Sequence, residues 1–352
     1  AFFAAVEEHD KPRLRGLPLV VGADPKGGKG RGVVSTANYK AREYGIHSAL
    51  PISTAWRLSE KAAAQGKPPA VFLDVDMRRY AEVSRQIMEY LRTQGGVLEQ
   101  ASVDEGYLEL RIKNNEVSED EWRHAEEKAK HIKVHIKKEF GLTCSVGIGP
   151  NKLVAKIAAG TRKPDGLTVV RVEAVQEFLD PMKVSAIPGI GPKSTQVLEK
   201  LGIRTIEDLR GLSRERLHEL FGKWGLGMYD RAHGIDESPV LAEYEAKSIG
   251  EQETFETDTR DSVLLLAKLK AICKGVAASV RHEAVSFRTV VITVRFADFE
   301  TKTRSHTLVE PTNDLATLEG AVLNLFMPFL DNRENPREKL FRLLGVRVEK
   351  FS

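Results

Sequence analysis

Cysteine is nearly absent from this 352-residue chain. The two present, Cys144 and Cys273, lie far apart in dissimilar contexts, and neither has a second Cys or a His at metal-ligand spacing. A disulfide scaffold and a structural zinc site are thereby excluded, and both thiols are expected to be reduced core residues. Long apolar runs are missing too: none reaches the roughly 18 to 20 residues needed to cross a bilayer. The opening AFFAAVEEHD lacks the basic stretch of a secretory signal. No membrane partner and a cytoplasmic location follow as expectations. Strong net charge is lacking as well, the balance being +3 from 53 basic and 50 acidic residues, so total charge argues only weakly for a polyanionic partner. The loop DPKGGKGRG at 24–32 has glycines but neither the GxxxxGK(S/T) nor the GxGxxG spacing, which excludes a P-loop or a Rossmann turn. No internal repeat and no low-complexity tract is present.

What the chain does have is the composition of a soluble globular protein, 41% hydrophobic and 29% charged, and enough length for about two to four domains. Its charge is unevenly placed. Residues 10–70 carry eleven basic side chains against four acidic ones, as expected of a segment that meets a polyanion, although a solvated face would read the same way. AFFAAVEE opens as an apolar-faced helix with no Met at residue 1 and no cap before it, so the chain is expected to be cut within an element. Short buried strands are expected at 17–23, 32–37 and 70–75. A helix is expected from Met77 to about Arg92, with Tyr80, Val83, Ile87 and Leu91 on one face. Strands VLEQASVD (97–104) and GYLELRI (106–112) come next, then a charged helix at 119–139, a strand at 142–148 and a helix at 151–160. This mixture predicts an α+β sheet domain rather than a doubly wound one. Residues 173–233 read as all-helical and 247–352 as β-α-β-β-α-β, with helices at 261–282 and 314–330; SPVLAEYEA between them reads as a linker.

Adjacent carboxylates Asp104 and Glu105 stand in SVDEGYLEL, at the junction of two strands. Neighbours on a regular strand point to opposite faces, so a shared cation requires a bend, which Gly106 eases. Such oxygen donors suit Mg²⁺, whose shell is completed by water and substrate phosphates; a solvated hairpin turn uses the same residue types. In TANYKAREYG (36–45), Tyr39 and Arg42 share a helical face with Thr36 at the helix start, a pattern fitted to hold a triphosphate. In VGIGPNKLVAKIAAGTRKPDG (146–166), Lys163 precedes a Pro-Asp-Gly turn, either as a point charge on a phosphate or as a solvated surface lysine. IPGIGPKS (187–194), with Gly189, Gly191 and Lys193, resembles a helix-hairpin-helix loop, whose amides bind a DNA backbone phosphate without reading bases. An αα-turn that uses glycine only for its dihedral freedom is the alternative.

In this order and approximate spacing, these motifs resemble the Y-family DNA polymerases, nearest the DinB-type archaeal and bacterial branch, over essentially the whole chain. The resemblance implies an α+β multidomain right hand: palm at 1–9 and 69–170, fingers at 10–68, a helical thumb with the helix-hairpin-helix at 171–236, a linker at 237–246 and a β-α-β-β-α-β little finger at 247–352. It implies template-directed DNA synthesis of low fidelity past damaged bases, a nucleotidyl transfer assisted by two Mg²⁺ ions. Asp104 and Glu105 are then the catalytic metal ligands. Phe3, Thr36, Tyr39, Arg42 and Lys163 bind the nucleotide, Phe3 as the aromatic gate that leaves no room for a 2′-hydroxyl, and Gly189, Gly191 and Lys193 bind DNA. The implied partners are primer-template DNA and deoxynucleoside triphosphates, with a sliding clamp as a further candidate, and a monomer is expected.

One departure stands out. The family's first motif runs Asp-x-Asp-Ala-Phe-Phe, whereas this chain begins at the Ala, and the first of those aspartates would lie three residues before Ala1. Asp74 and Asp76 flank a strand end and a helix start, where Asp76 reads as an N-cap rather than a substitute ligand. The 352 residues are therefore expected to be an N-terminally truncated copy with impaired catalysis. The alternatives are a non-catalytic DNA-binding factor retaining the polymerase fold, and a helix-hairpin-helix repair nuclease or glycosylase, which accounts only for 187–209. Residues 247–352 hold sixteen basic and fifteen acidic side chains, so DNA contact there depends on one face, with Arg281, Arg288, Arg295, Lys302 and Arg304 as candidates. Arg288 and Arg295 fall on opposite faces unless the strand bulges.

Overall fold

The computed structural model describes residues 1–110, 118–331 and 333–352, and the chain divides into two units. Ala1–Val21, Ser35–Ser48 and Lys61–Glu243 form the first; Gly22–Val34, Ala49–Glu60 and Tyr244–Ser352 form the second. In chain order the elements are α1 (Phe2–Asp10), β1 (Leu19–Gly22), β2 (Val34–Ala37), α2 (Tyr39–Arg42), α3 (Ile52–Ala64), β3 (Val71–Leu73), α4 (Met77–Arg92), β4 (Val97–Gln100), β5 (Gly106–Glu109), α5 (Glu119–Phe140), β6 (Val146–Ile148), α6 (Lys152–Thr161) and β7 (Leu167–Val169). Helices α7 (Val175–Leu179), α8 (Pro192–Lys200), α9 (Ile206–Arg210), α10 (Arg214–Phe221) and α11 (Lys223–Ala232) follow. The chain ends with β8 (Ser248–Thr259), α12 (Ser262–His282), β9 (Phe287–Phe296), β10 (Thr301–Thr312), α13 (Leu315–Leu330) and β11 (Phe341–Phe351). Arg111 and Ile112, placed above in the second strand of the hairpin, lie outside the described residues.

In the first unit, the apolar stripe of α4 decides the packing. Asp76 caps the helix, its side chain accepting from the Arg79 amide at 3.0 Å, as a short acidic side chain does at that position. One turn on, Tyr80 and Val83 are buried, with Ile87 and Leu91 against the same core as Leu19, Val21, Ile132 and Ile136. Helix α1 lays Ala4 and Val6 into this core and buries Glu7. That carboxylate is satisfied, since the Tyr80 hydroxyl and the Lys11 ammonium each donate to it at 2.7 Å, so its burial carries no orphaned charge. β1 lies between β2 and β3 and runs parallel to β3, Leu19 opposite Val71. A capping box of Ser118 and Glu121 starts α5.

β4 and β5 form an antiparallel hairpin that closes at the Gln100–Gly106 pair. The first strand thus ends four residues earlier than expected, because the chain turns through 101–105 and carries both carboxylates off the ladder. β6 pairs with β7 in parallel, and α6 presses on this pair at Gly147, where an added Cβ would lie 2.0 Å from the Ala155 carbonyl oxygen. Only glycine allows so close an approach. α6 also joins Leu153, Val154 and Ile157 to the helical core of α7–α11, with Leu179, Leu198 and Leu209 at its centre.

The second unit holds a four-stranded antiparallel sheet of order β10-β9-β11-β8. Leu265, Leu269, Val322 and Phe326 of α12 and α13 share a core with Val290, Ile292, Val294 and Val346 of the sheet, so the helices cover one face. Cys273 sits in this core, and burial pushes its thiol up to about 12. Cys144 is half-buried, and burial raises its thiol also. Both are free, as expected. Among the described residues no helix is long and apolar enough to cross a membrane.

Candidate functional site

A cleft of about 2010 Å³ opens in the first unit, and Tyr39, Arg42, Asp104, Glu105, Lys156 and Lys163 are on its wall. Asp104 and Glu105 reach it from the β4–β5 turn. The Ala101 and Ser102 amides both donate to the Glu105 carbonyl, at 3.0 and 3.1 Å, and the Ser102 hydroxyl donates to Asp104 Oδ1 at 3.0 Å. The bend that two neighbouring carboxylates need to share one side is therefore built from a backbone turn ahead of Gly106. Glu105 Oε2 accepts from the Lys156 ammonium at 2.6 Å. Burial, the largest single influence, works against the Lys156 charge, but the Glu105 hydrogen bond together with the electrostatic pull of Glu105, Tyr107 and Asp104 outweighs it and the pKa is raised. Beside them, burial raises the Tyr107 hydroxyl. Hard oxygen donors in an open cleft, with room for water and phosphate oxygens, fit Mg²⁺, which needs only one or two protein carboxylates. Among the described residues no three or more His, Cys, Asp or Glu gather into a closed metal site.

Three of the five expected nucleotide residues, Tyr39, Arg42 and Lys163, line the same cleft. Helix α2 is a single turn capped by Asn38, whose Oδ1 accepts from the Ala41 amide at 3.0 Å and from the Leu19 amide at 2.9 Å. The helix start is therefore Asn38. Thr36, two residues earlier, is a buried β2 residue and does not lie on the cleft wall. The Arg42 guanidinium stands 5.2 Å from the Tyr39 ring centroid and donates through Nε to the Ala37 carbonyl at 3.0 Å, so the two side chains share a face as the spacing predicts. Lys163 follows the end of α6. Arg42, Asp104, Glu105 and Lys163 thus line one cleft together with Ala1. Phe3, on the first turn of α1, stacks on Tyr80 with ring centroids 4.2 Å apart. Its neighbour Phe2 lines the cleft.

Gly189, Gly191 and Lys193 lie elsewhere in the first unit, on the loop that enters α8. Gly189 takes a φ of +94°, and an added Cβ would lie 2.3 Å from Cζ2 of Trp224, so both the turn and the indole demand glycine. Arg231 lies 4.8 Å over the Trp224 ring. Gly191 caps α8, Pro192 takes its first turn and Lys193 is exposed, which gives the geometry of a backbone-amide anion turn with an adjacent cation.

In the second unit, alternation sorts the candidate cations. Val290, Ile292 and Val294 face the helices, so Val291, Thr293 and Arg295 take the opposite face. Their cross-strand partners Ser305, Thr303 and Thr301 lie there too, as do Arg347, Gly345 and Leu343. Lys302 and Arg304 pair with Val294 and Ile292, on the helix side, and both bond to Glu334. Arg281 is on α12. The core takes both Phe287 and Val290, so the alternation slips at Arg288, beside the register shift between Thr307 and Thr312.

Sequence reasoning passed over Lys156, Lys152, Glu99 and Trp224. A lysine one turn along a helix from another lysine carries no local signal of its partner; the partner comes from the approach of α6 to the β4–β5 hairpin.

Matches to known proteins cover nearly the whole chain. Residues 1–160 match the model of the impB/mucB/samB family, 246–352 match the C-terminal domain of that family, and 185–236 match the DNA polymerase-iota thumb domain. The chain is 44% identical to DNA polymerase IV 2 of Methanosarcina mazei over 100% of its own length and 90% of the relative's. It is 41% identical to DNA polymerase IV of Methanoculleus marisnigri over 99% and 91%. Among solved structures, the Y-family DNA polymerase chimera Dbh-Dpo4(243-245)-Dbh is similar, with a TM-score of 0.85 at 28% identity, covering 99% of this chain and 96% of that one. The insertion ternary complex of Dbh DNA polymerase follows at a TM-score of 0.66, with the same identity and coverage.

Proposed function

The chain belongs to the impB/mucB/samB family of DinB-type Y-family DNA polymerases, and on that premise we propose that Asp104 and Glu105 are the carboxylates on which its template-directed nucleotidyl transfer depends. The class of activity, translesion DNA polymerase, comes with the family. The residue roles rest on one observation: both carboxylates share a cleft wall with Tyr39, Arg42 and Lys163. Asp104 and Glu105 would hold the divalent cations, two in our reading, which would supply neutralisation of the charge that develops on the attacking and leaving oxygens. Arg42 and Lys163 bring fixed positive charge to the triphosphate, and Tyr39 holds the Arg42 guanidinium by stacking beneath it. Phe3, backed by Tyr80, is the aromatic gate under the sugar.

The remaining assignments follow the same reading. Residues 1–9 and 69–170 act as palm, 10–68 as fingers, 171–236 as thumb and 247–352 as little finger. The loop at Gly189 and Gly191 grips a backbone phosphate with Lys193 adding charge, and Arg295 and Arg347 supply the cations of the sheet face away from the helices, since Lys302 and Arg304 are committed to Glu334.

Primer extension tests all of this. Asp104→Ala is expected to lower single-nucleotide incorporation by about a thousandfold, several kcal/mol of charge stabilisation, while primer-template affinity stays within about twofold. Wild-type incorporation by Asp104→Ala refutes the assignment. Tight DNA binding with no incorporation supports the non-catalytic DNA-binding factor instead.

A further inference from the structure

Helix α6 carries two lysines one turn apart, and each ends on a carboxylate of the β4–β5 hairpin. Lys152 lies 2.9 Å from Glu99 Oε2 and donates to the Pro239 carbonyl at 2.7 Å, and the Leu241 amide donates to the same Glu99 oxygen at 2.9 Å. That pair is 14% and 4% exposed and is a structural clamp. Lys156 lies 2.6 Å from Glu105 Oε2, but here the side chains are 38% and 45% exposed and both line the cleft. An ion pair this open adds little to stability, so stability does not account for its position beside Asp104.

We propose that Lys156 is a positioning residue: its ammonium holds Glu105 toward the cleft and offsets the repulsion between the Asp104 and Glu105 carboxylates until a divalent cation is bound. The inference rests on the reading of these two carboxylates as the metal-binding pair. The contact engages one carboxylate oxygen, Oε2, so the other can face a cation while Lys156 stays in place. A fixed positive charge at that distance does two things at once. It competes with a cation for Glu105, and it narrows the conformations that Glu105 samples before the cation arrives. Removing it separates the two effects, because the bare site then binds a cation more tightly while its carboxylate is less well placed for transfer.

The test compares wild type, Lys156→Met, Lys156→Arg and Asp104→Ala in the full chain. Mn²⁺ binding without DNA is followed by electron paramagnetic resonance, and nucleotide incorporation by rapid quench. Lys156→Met is expected to bind Mn²⁺ roughly threefold to tenfold more tightly, from the loss of one nearby charge, and to incorporate about tenfold more slowly with little change in nucleotide affinity. Lys156→Arg is expected to return both values toward wild type. Wild-type Mn²⁺ affinity in Lys156→Met, or weaker binding, overturns the proposal, as does unchanged incorporation. Failure of the underlying reading looks different: Asp104→Ala would then keep wild-type Mn²⁺ affinity whatever Lys156 does.

Discussion

Replacing Glu99 by Ala removes one member of the Glu99–Lys152 clamp and strands an ammonium that is 14% exposed. Breaking a buried pair from one side costs about 3 to 5 kcal/mol, because the remaining charge stays desolvated. Two features place this case near the lower end. Lys152 keeps the Pro239 carbonyl at 2.7 Å, and its ammonium lies 5.6 Å from the Tyr107 ring centroid. Loss of the acceptor for the Leu241 amide works the other way, adding about 1 kcal/mol. The net expectation is about 3 to 4 kcal/mol. A unit of this size moves its midpoint by about 2 to 4 °C per kcal/mol, so thermal unfolding of Glu99→Ala should begin about 6 to 16 °C below wild type. Because that estimate assumes one cooperative transition, urea unfolding with the slope compared between variants is the firmer assay. The double variant Glu99→Leu with Lys152→Met removes both charges and should recover most of the loss. A loss below about 1 kcal/mol in Glu99→Ala would refute the claim that the pair is a desolvated clamp.

Two further outcomes are expected. Gly189→Ala puts a Cβ 2.3 Å from the Trp224 ring on a residue with a φ of +94°; it should cost about 1 to 3 kcal/mol and weaken primer-template binding equally for all sequences, measured by fluorescence anisotropy. Within the second unit the Arg31 hydrogen bond holds the Asp258 carboxyl below its ordinary 3.8, burial working against it. A depressed pKa contributes stability that is present above the ordinary value and lost as pH falls through the folded one. The difference between wild type and Asp258→Asn should therefore be about 1 kcal/mol near neutrality and close below pH 3.8, as read by urea titrations at successive pH values.

Much of this was legible because local chemistry decided it. Asp76 at a helix start, the Ser118–Glu121 spacing and the Tyr80 stripe each specify an element without help from distant residues. Asp104 and Glu105 were visible as a pair of carboxylates at a strand junction, which is an odd place for charge. The same logic failed where a partner is far off in the chain. Thr36 and Asn38 are both good caps by type, and Asn38 took the position because its oxygen also reaches the Leu19 amide. Arg295 and Lys302 looked alike as sheet cations until the core positions Val290, Ile292 and Val294 fixed which face each takes. Residues 22–34 and 49–60 belong to the same unit as 244–352, an association set by contacts such as Arg31–Asp258 that no local pattern announces.

Gly147 has a bearing on how this protein can change. Its contact with α6 runs from backbone to backbone, the Ala155 carbonyl and the Ala159 nitrogen standing 2.0 and 2.3 Å from where a Cβ would be. No side chain in that contact can be traded for a smaller one, so a second substitution cannot compensate for a first. Admitting any Cβ at 147 means shifting the helix, and Lys152 and Lys156 travel with it. The clamp and the charge beside Asp104 are in that sense inherited as one trait, and libraries that vary the two lysines separately explore a freedom that the backbone at 147 denies to slow drift.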